Sequence, residues 1–291
     1  MSGSVVVGYT ATDAGRDALR LGSRLAAGLG VTLHLVIVLP NEGTRSPIVP
    51  PEKSYEQYLR SQAEKWLREA AVHVPAGVTR SAHVRFGESF GEGLIAAAEE
   101  FAAAIIVIGG AGGGRFGRYT LGSVAQQLLH SSPVPVALAA SGGVDADHPI
   151  SRVTCAVGNR PGADYLLESS VALARELGAE LRLLSLAAID LPGGMSADEA
   201  RSAAGDLADE MQAEATAQLP DGQTVAVEVA RGRSIEDATS HLDWDANEIA
   251  LVGSSRLAQP RRLFLGSTAA RMLHELPVPM IVVPRERPEG A

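Results

Sequence analysis

The sequence predicts two tandem α/β domains, each an open, doubly wound parallel sheet flanked by helices. Two observations carry that expectation. The chain of 291 residues repeats itself once, and inside each half short β-branched runs alternate with longer stretches of helical period. The order β-α-β-α-β-α-β-α-β demands right-handed crossovers and a sheet covered on both faces.

The repeat is read most easily near the ends of the halves. PVPVALA (133–139) recurs as PVPMIVV (277–283), and LGSVAQQLLH (121–130), twelve residues before the first, recurs as LGSTAARMLH (265–274). AIIVIGG (104–110) matches EIALVGS (248–254), and VRFGES (84–89) resembles VARGRS (229–234). Earlier still, LRLGSRLAAGLGVTLHLV (19–36) pairs with LESSVALARELGAELRLL (167–184). The offset is 144 residues at the C-terminal motifs and 148 at the N-terminal ones, so a small loop difference separates the copies. The stretch SGGVDADHPIS (141–151), rich in Gly and Asp, marks the boundary, giving domains over 1–141 and 152–291 with a linker over 142–151.

In the first half the strands expected are SVVVGY (4–9), VTLHLVIV (31–38), VTRSAHVRF (78–86), AIIVIG (104–109) and PVALA (135–139). They are rich in Val, Ile and Leu, as strands buried on both faces are. Helices are expected over 13–29, 52–74, 89–100 and 123–131, with Asp13 and Ser89 as N-caps and Gly30 as a C-terminal stop.

Composition excludes several functions. Lys+Arg 25 against Asp+Glu 34 gives a net charge of −9, which repels a phosphate backbone and argues against nucleic acid as partner. The start MSGSVVVGYT has no basic, apolar leader, and no apolar run approaches the ~18 residues of a membrane span. A soluble, cytoplasmic protein without a membrane partner is therefore expected. Lys53 and Lys65 are the sole lysines and neither follows a glycine loop, so a P-loop is absent. Cys155, the one cysteine, lies in the apolar run VTCAV and suits a buried strand thiol better than a nucleophile. The seven histidines show no HxxxH or HExxH spacing, so structural roles outweigh metal ligation. Trp66 and Trp244 are expected to be packing residues.

Ligands of doubly wound sheets sit beyond the strand C-termini, near the point where strand order reverses. There, in the first half, Gly109 and Gly112 are separated by two residues, Gly122 follows after nine more, and Ser123 opens a helix. Glycines let backbone amides approach an anion without Cβ interference. The amides of Ser123 and Val124, the serine hydroxyl and the positive end of the helix dipole suit a polyphosphate. Arg115 and Arg118 in the intervening loop suit outer phosphates or plain solvent.

The G-x2-G-x9-G-[ST] pattern, the VGY opening and the PVPV final strand resemble the universal stress protein family, over nearly the whole chain. The resemblance implies five parallel strands in the order 3-2-1-4-5 in each domain, paired through their last strands. It implies an ATP site in which Gly109, Gly112, Gly122 and Ser123 hold the phosphates with Val124 beside them, and Val38 contacts adenine. As an apolar strand-end residue Val38 equally suits the core. Where ATP-binding members carry a nucleoside-facing aspartate this chain has Thr10, which offers one hydroxyl and lacks a carboxylate's two acceptor oxygens. In the second half Gly253 and Gly266-Ser267 keep their places, but Arg256 replaces the middle glycine, Pro260 stiffens the loop, and Gly158 or Asn159 takes the nucleoside-facing position. The second domain is therefore expected to bind ATP poorly or not at all.

The loop from 109 to 123 contains no Asp, Glu, His, Asn or Gln to bind a metal or orient water, so a catalyst is not expected. The expectation is an ATP-binding regulatory protein that switches a surface read by a regulatory protein partner. The alternative is a scaffold that binds no nucleotide and dimerises through its last strands. Those apolar strands, PVPVALAA and PVPMIVVP, would most simply pair within one chain as a pseudo-dimer, leaving room for a further homodimer.

Overall fold

The computed structural model describes residues 3–41, 53–110, 121–157, 163–186, 197–230, 232–254 and 265–285. The first half contains β1 (Ser4–Gly8), α1 (Asp13–Leu29), β2 (Leu33–Pro40), α2 (Lys53–Ala71), β3 (Arg80–Gly87), α3 (Phe90–Glu100), β4 (Ala103–Gly109), α4 (Ser123–Ser131) and β5 (Val136–Ala139). The second repeats the series as β6 (Arg152–Val157), α5 (Ala163–Leu177), β7 (Glu180–Ser185), α6 (Ala197–Gln218), β8 (Val225–Val229), α7 (Ile235–His241), β9 (Glu248–Gly253), α8 (Ser267–Glu275) and β10 (Met280–Val283).

The ten strands form one sheet in the order β3-β2-β1-β4-β5-β10-β9-β6-β7-β8. Each half thus has the 3-2-1-4-5 arrangement, with parallel neighbours throughout. The halves meet where β10 runs antiparallel to β5, Met280 opposite Leu138 and Val282 opposite Val136. This central pairing follows the expectation that the apolar last strands cover each other's edges. Strand direction reverses there, so the C-terminal edge of one half lies at the opposite side of the sheet from that of the other.

Alternation along the strands builds two cores. Val5, Val7, Leu33, Leu35 and Ile37 face α1 and α2, and continue into Val153, Cys155, Leu181 and Leu183 beneath α5 and α6. Val6, Val36, Ile106 and Leu138 face α3 and α4, and continue into Leu184, Ala250 and Met280 beneath α7 and α8. Successive strand side chains point to opposite faces, so neighbouring residues serve different cores. Arg24, on α1 and 4% exposed, ties the halves together. Its guanidinium donates to the carbonyls of His148 and Pro149 and to Asn247 Oδ1, at 2.7, 3.2 and 3.1 Å.

Local signals were mostly obeyed. Gly30 ends α1 in the left-handed region (φ 65°), and the hydroxyl of Ser89 accepts from the Glu92 amide to cap α3. The N-cap of α1 is a correction. It is Thr12, whose Oγ1 accepts from Gly15 N–H, while Asp13 is the first residue of the helix and pairs with Arg16. The second helix also stops at Ala71 rather than 74, because Val74 leaves the helix to close the core in the following turn. Trp244 packs as expected, but Trp66 stays 38% exposed.

Candidate functional site

β1 pairs with β2 on one side and β4 on the other, so strand order reverses between β1 and β4. Thr10, beyond the end of β1, and Gly109, the last residue of β4, therefore border the crevice where such sheets take ligands.

Gly109 is small for a reason internal to the fold. A Cβ there would lie 2.1 Å from the Ala14 carbonyl oxygen, because the first turn of α1 rests directly on the end of β4. Gly15 is equally constrained, since its Cβ would meet the Thr10 carbonyl oxygen at 1.8 Å. The first contact seats the β1–α1 turn on the end of β4, and the second folds that turn closely on itself. Thr10 is exposed, and its Oγ1 lies 2.9 Å from Thr12 Oγ1, so this hydroxyl braces the cap of α1.

Gly122 is the N-cap of α4, with φ −70° and ψ 168°, and no side chain caps this helix. The first intrahelical bond is Gln126 N–H to the Gly122 carbonyl, so the amides of Ser123, Val124 and Ala125 precede any intrahelical acceptor. Ser123 is exposed and Val124 half-buried against the α3/α4 core. Thr12, Ser89 and Ser234 supply side-chain caps to α1, α3 and α7, whereas α4 and α8 begin at Gly122 and Gly266 without one. Among the helices whose N-caps are described, the two that follow the glycine loops are thus the ones left with a bare amide end, on which the helix dipole adds positive potential. Gln127 holds α4 to α3 by donating to Ser89 Oγ at 2.7 Å.

Val38 is 7% exposed and packs on α3, where a Cβ at Gly93 would lie 2.4 Å from Val38 Cγ1. Of the two roles open to it from the sequence, core packing is the one these contacts express. Gly112, Arg115 and Arg118 lie outside the described residues, as do Gly158, Asn159, Arg256 and Pro260. In the second half a Cβ at Gly253 would lie 3.6 Å from Leu166 Cδ2, an ordinary contact among the described residues, while the counterpart of Ala14, Gly162, lies outside them. Ser267 is exposed at the start of α8.

Sequence reasoning missed a groove of about 930 Å³ on the α1/α2 face, lined by Arg16, Arg20, Trp66, Glu69 and Asp145 among others. It reaches the crevice side through Tyr9 and Ala11. Burial raises the Tyr9 hydroxyl pKa, with Arg16 opposing that rise. Cys155 is wholly buried and its thiol pushed up to about 12, as an inert strand thiol should be. Among the described residues no three His, Cys, Asp or Glu side chains converge as a metal site, and no helix is long and apolar enough to cross a membrane.

Comparison with known proteins covers both halves. The model of the universal stress protein family matches residues 1–139 and again 149–284. A universal stress protein of Mycobacterium tuberculosis is 28% identical over 294 aligned positions, covering 97% of this chain and 99% of the relative, and one of Mycobacterium bovis is equally similar. A solved universal stress protein from Archaeoglobus fulgidus shares the fold at TM-score 0.65 and 21% identity, covering 98% of this chain and 97% of its own. A putative universal stress protein from Pseudomonas aeruginosa aligns at TM-score 0.58 and 17% identity, over 97% and 92% of the two chains.

Proposed function

The chain belongs to the universal stress protein family, and from that premise we propose that it is an ATP-binding stress-response regulator with its nucleotide in the first half. The phosphates rest on Gly109, Gly112, Gly122, Ser123 and the Val124 amide, and Thr10 offers its hydroxyl to the nucleoside. Val38 backs the adenine pocket from within the core. The observation that supports this most is the bare start of α4, three amides without a side-chain cap at the edge where strand order reverses. A polyphosphate anion is the natural complement of such an end.

The nucleotide acts as a switch rather than a substrate. The loop from 109 to 123 supplies neither a metal-binding carboxylate nor a group to orient water. Binding orders this loop and alters a surface that a regulatory protein partner in the cytoplasm reads. The coupling is no larger than the difference in ATP affinity between the two loop states. The functional units are residues 1–141 and 152–291 around the 142–151 linker. The second unit, with Arg256 in place of the middle glycine, binds ATP poorly. The alternative, a scaffold dimerising through its last strands, is less well supported, because β5 and β10 already pair within the chain.

Calorimetry and thermal melts with ATP test the reading. ATP at ~100 times its Kd should stabilise the protein by ~2.7 kcal/mol, and Gly122→Asp, which sets a carboxylate against the phosphates, should abolish that gain. A wild-type melt unmoved by millimolar ATP refutes nucleotide binding.

A further inference from the structure

At the N-terminal end of the first half's outer strands, away from the glycine loop, two histidines that lie 49 residues apart in sequence meet. His34 Nδ1 lies 3.2 Å from His83 Nε2, and Ser81 Oγ lies 2.7 Å from the first and 2.9 Å from the second. All three residues are half-buried, and Phe101 covers them, stacked on the His34 ring at a centroid distance of 4.1 Å. We propose that His34 Nδ1, His83 Nε2 and Ser81 Oγ form a binding site for a divalent transition-metal cation of the zinc and copper class.

Geometry supports this first. A metal about 2.1 Å from two imidazole nitrogens holds donors about 3.0 Å apart at right angles and about 3.4 Å apart in a tetrahedron. The three separations here fall around the first of these, so a cation fits just outside the plane of the three atoms, with water completing its shell. Imidazole is also the ligand that zinc, copper and nickel share.

The duplicated half supplies an independent argument. His34 lies between Val6 and Ser81 in the sheet as Arg182 lies between Thr154 and Ala226. By the same register His83, opposite Val36, corresponds to Glu228, opposite Leu184. In the second half the two positions hold an ion pair, Arg182 Nη1 to Glu228 Oε2 at 2.9 Å, beneath Trp244, whose ring lies 4.7 Å from the guanidinium. The first half keeps the aromatic cover and replaces the ion pair with neutral bases. Arg182 and Glu228 neutralise each other, and in their place the first half offers two neutral imidazole donors of the kind a transition metal takes.

The protonation state is suited to the task. Burial, followed by the neighbouring His83, lowers the His34 pKa, and burial, followed by Arg85, lowers that of His83. Glu100 opposes both shifts, but its carboxylate is engaged by Arg85, Nη2 to Oε1 at 2.6 Å. A metal takes imidazole in its neutral form, so acid competes with it.

The test uses the metal-stripped full-length chain and zinc chloride alone. Wild type should bind zinc at this site at pH 7.5 and lose at least tenfold in affinity at pH 5.5, and zinc should shift the Cε1–H resonances of both His34 and His83. His34→Arg/His83→Glu, which transplants the pair the second half already accommodates, should fold and lose this zinc. The absence of zinc binding by wild type, undiminished binding by the folded double variant, or bound zinc that leaves both histidine resonances unmoved would each overturn the proposal. The resonance criterion needs no variant, so it decides the matter even if the double variant does not fold.

Discussion

Replacing one glycine in each half separates a packing requirement from a conserved-looking pattern. In Gly109→Ala the new methyl would sit 2.1 Å from the Ala14 carbonyl oxygen, 2.5 Å from its carbon and 2.8 Å from Ala14 Cβ. Ordinary contact begins near 3.4 Å, so the first turn of α1 must retreat from β4 by about 1 Å. Neither partner is a side chain that can rotate away. Overpacking of this kind costs about 1–3 kcal/mol, and a backbone obstacle places this case near the top, about 3 kcal/mol. Gly253→Ala is the comparison: among the described residues its methyl meets only Leu166 Cδ2, at 3.6 Å, and alanine is the better strand residue. That variant should lie within about 0.5 kcal/mol of wild type or be slightly more stable. Urea denaturation followed by circular dichroism measures both, and the first variant should also melt about 6–12 °C lower. Equal losses in the two variants, or a Gly109→Ala within 0.5 kcal/mol of wild type, would refute the reasoning.

Other consequences follow from buried charge and shielded groups. Glu248 is fully buried and accepts from Arg152, Arg182 and Thr154, so Glu248→Ala removes the buried carboxylate shared by two arginines, leaves Arg182 only its outer partner Glu228, and should cost about 3 kcal/mol in chemical denaturation. Arg24→Ala removes three hydrogen bonds that join α1 to the segment before β6 and to Asn247. It should cost about 2–3 kcal/mol and raise protease cleavage around residues 142–149. Cys155 should react with a disulfide reagent at pH 8 far more slowly in the native protein than in denaturant, since burial keeps its thiolate scarce. The Glu236 carboxyl, held at about 2 chiefly by Arg271, should contribute stability that is complete above its ordinary 4.5 and lost as pH falls through about 2. Glu236→Gln should flatten that part of an acid-denaturation curve.

Element order was legible because the signals are local. The β-branched run at 104–109 and the helical period at 13–29 are set by neighbours within a few residues, and both appear where expected. Gly30 and Ser89 act within one turn, so their caps were legible too. Thr12 was overlooked in favour of Asp13 because both residue types cap helices, and the choice turns on a backbone angle that residue identity leaves open. The glycine pattern around Gly109 and Gly122 falls at the edge of the sheet where strand order reverses. It could not separate glycines needed for a ligand from one needed because Ala14 is in the way.

From its own order the chain specified a duplicated doubly wound fold, the apolar last strands and a bare helix start after the first glycine loop, since each depends on residues close in sequence. Three-dimensional packing alone set Val38 against Gly93, Arg24 across the two halves, and His34 beside His83. Those contacts join residues tens to hundreds of positions apart. Their distances follow from strand register and from how helices settle on the sheet, which no short window of sequence encodes.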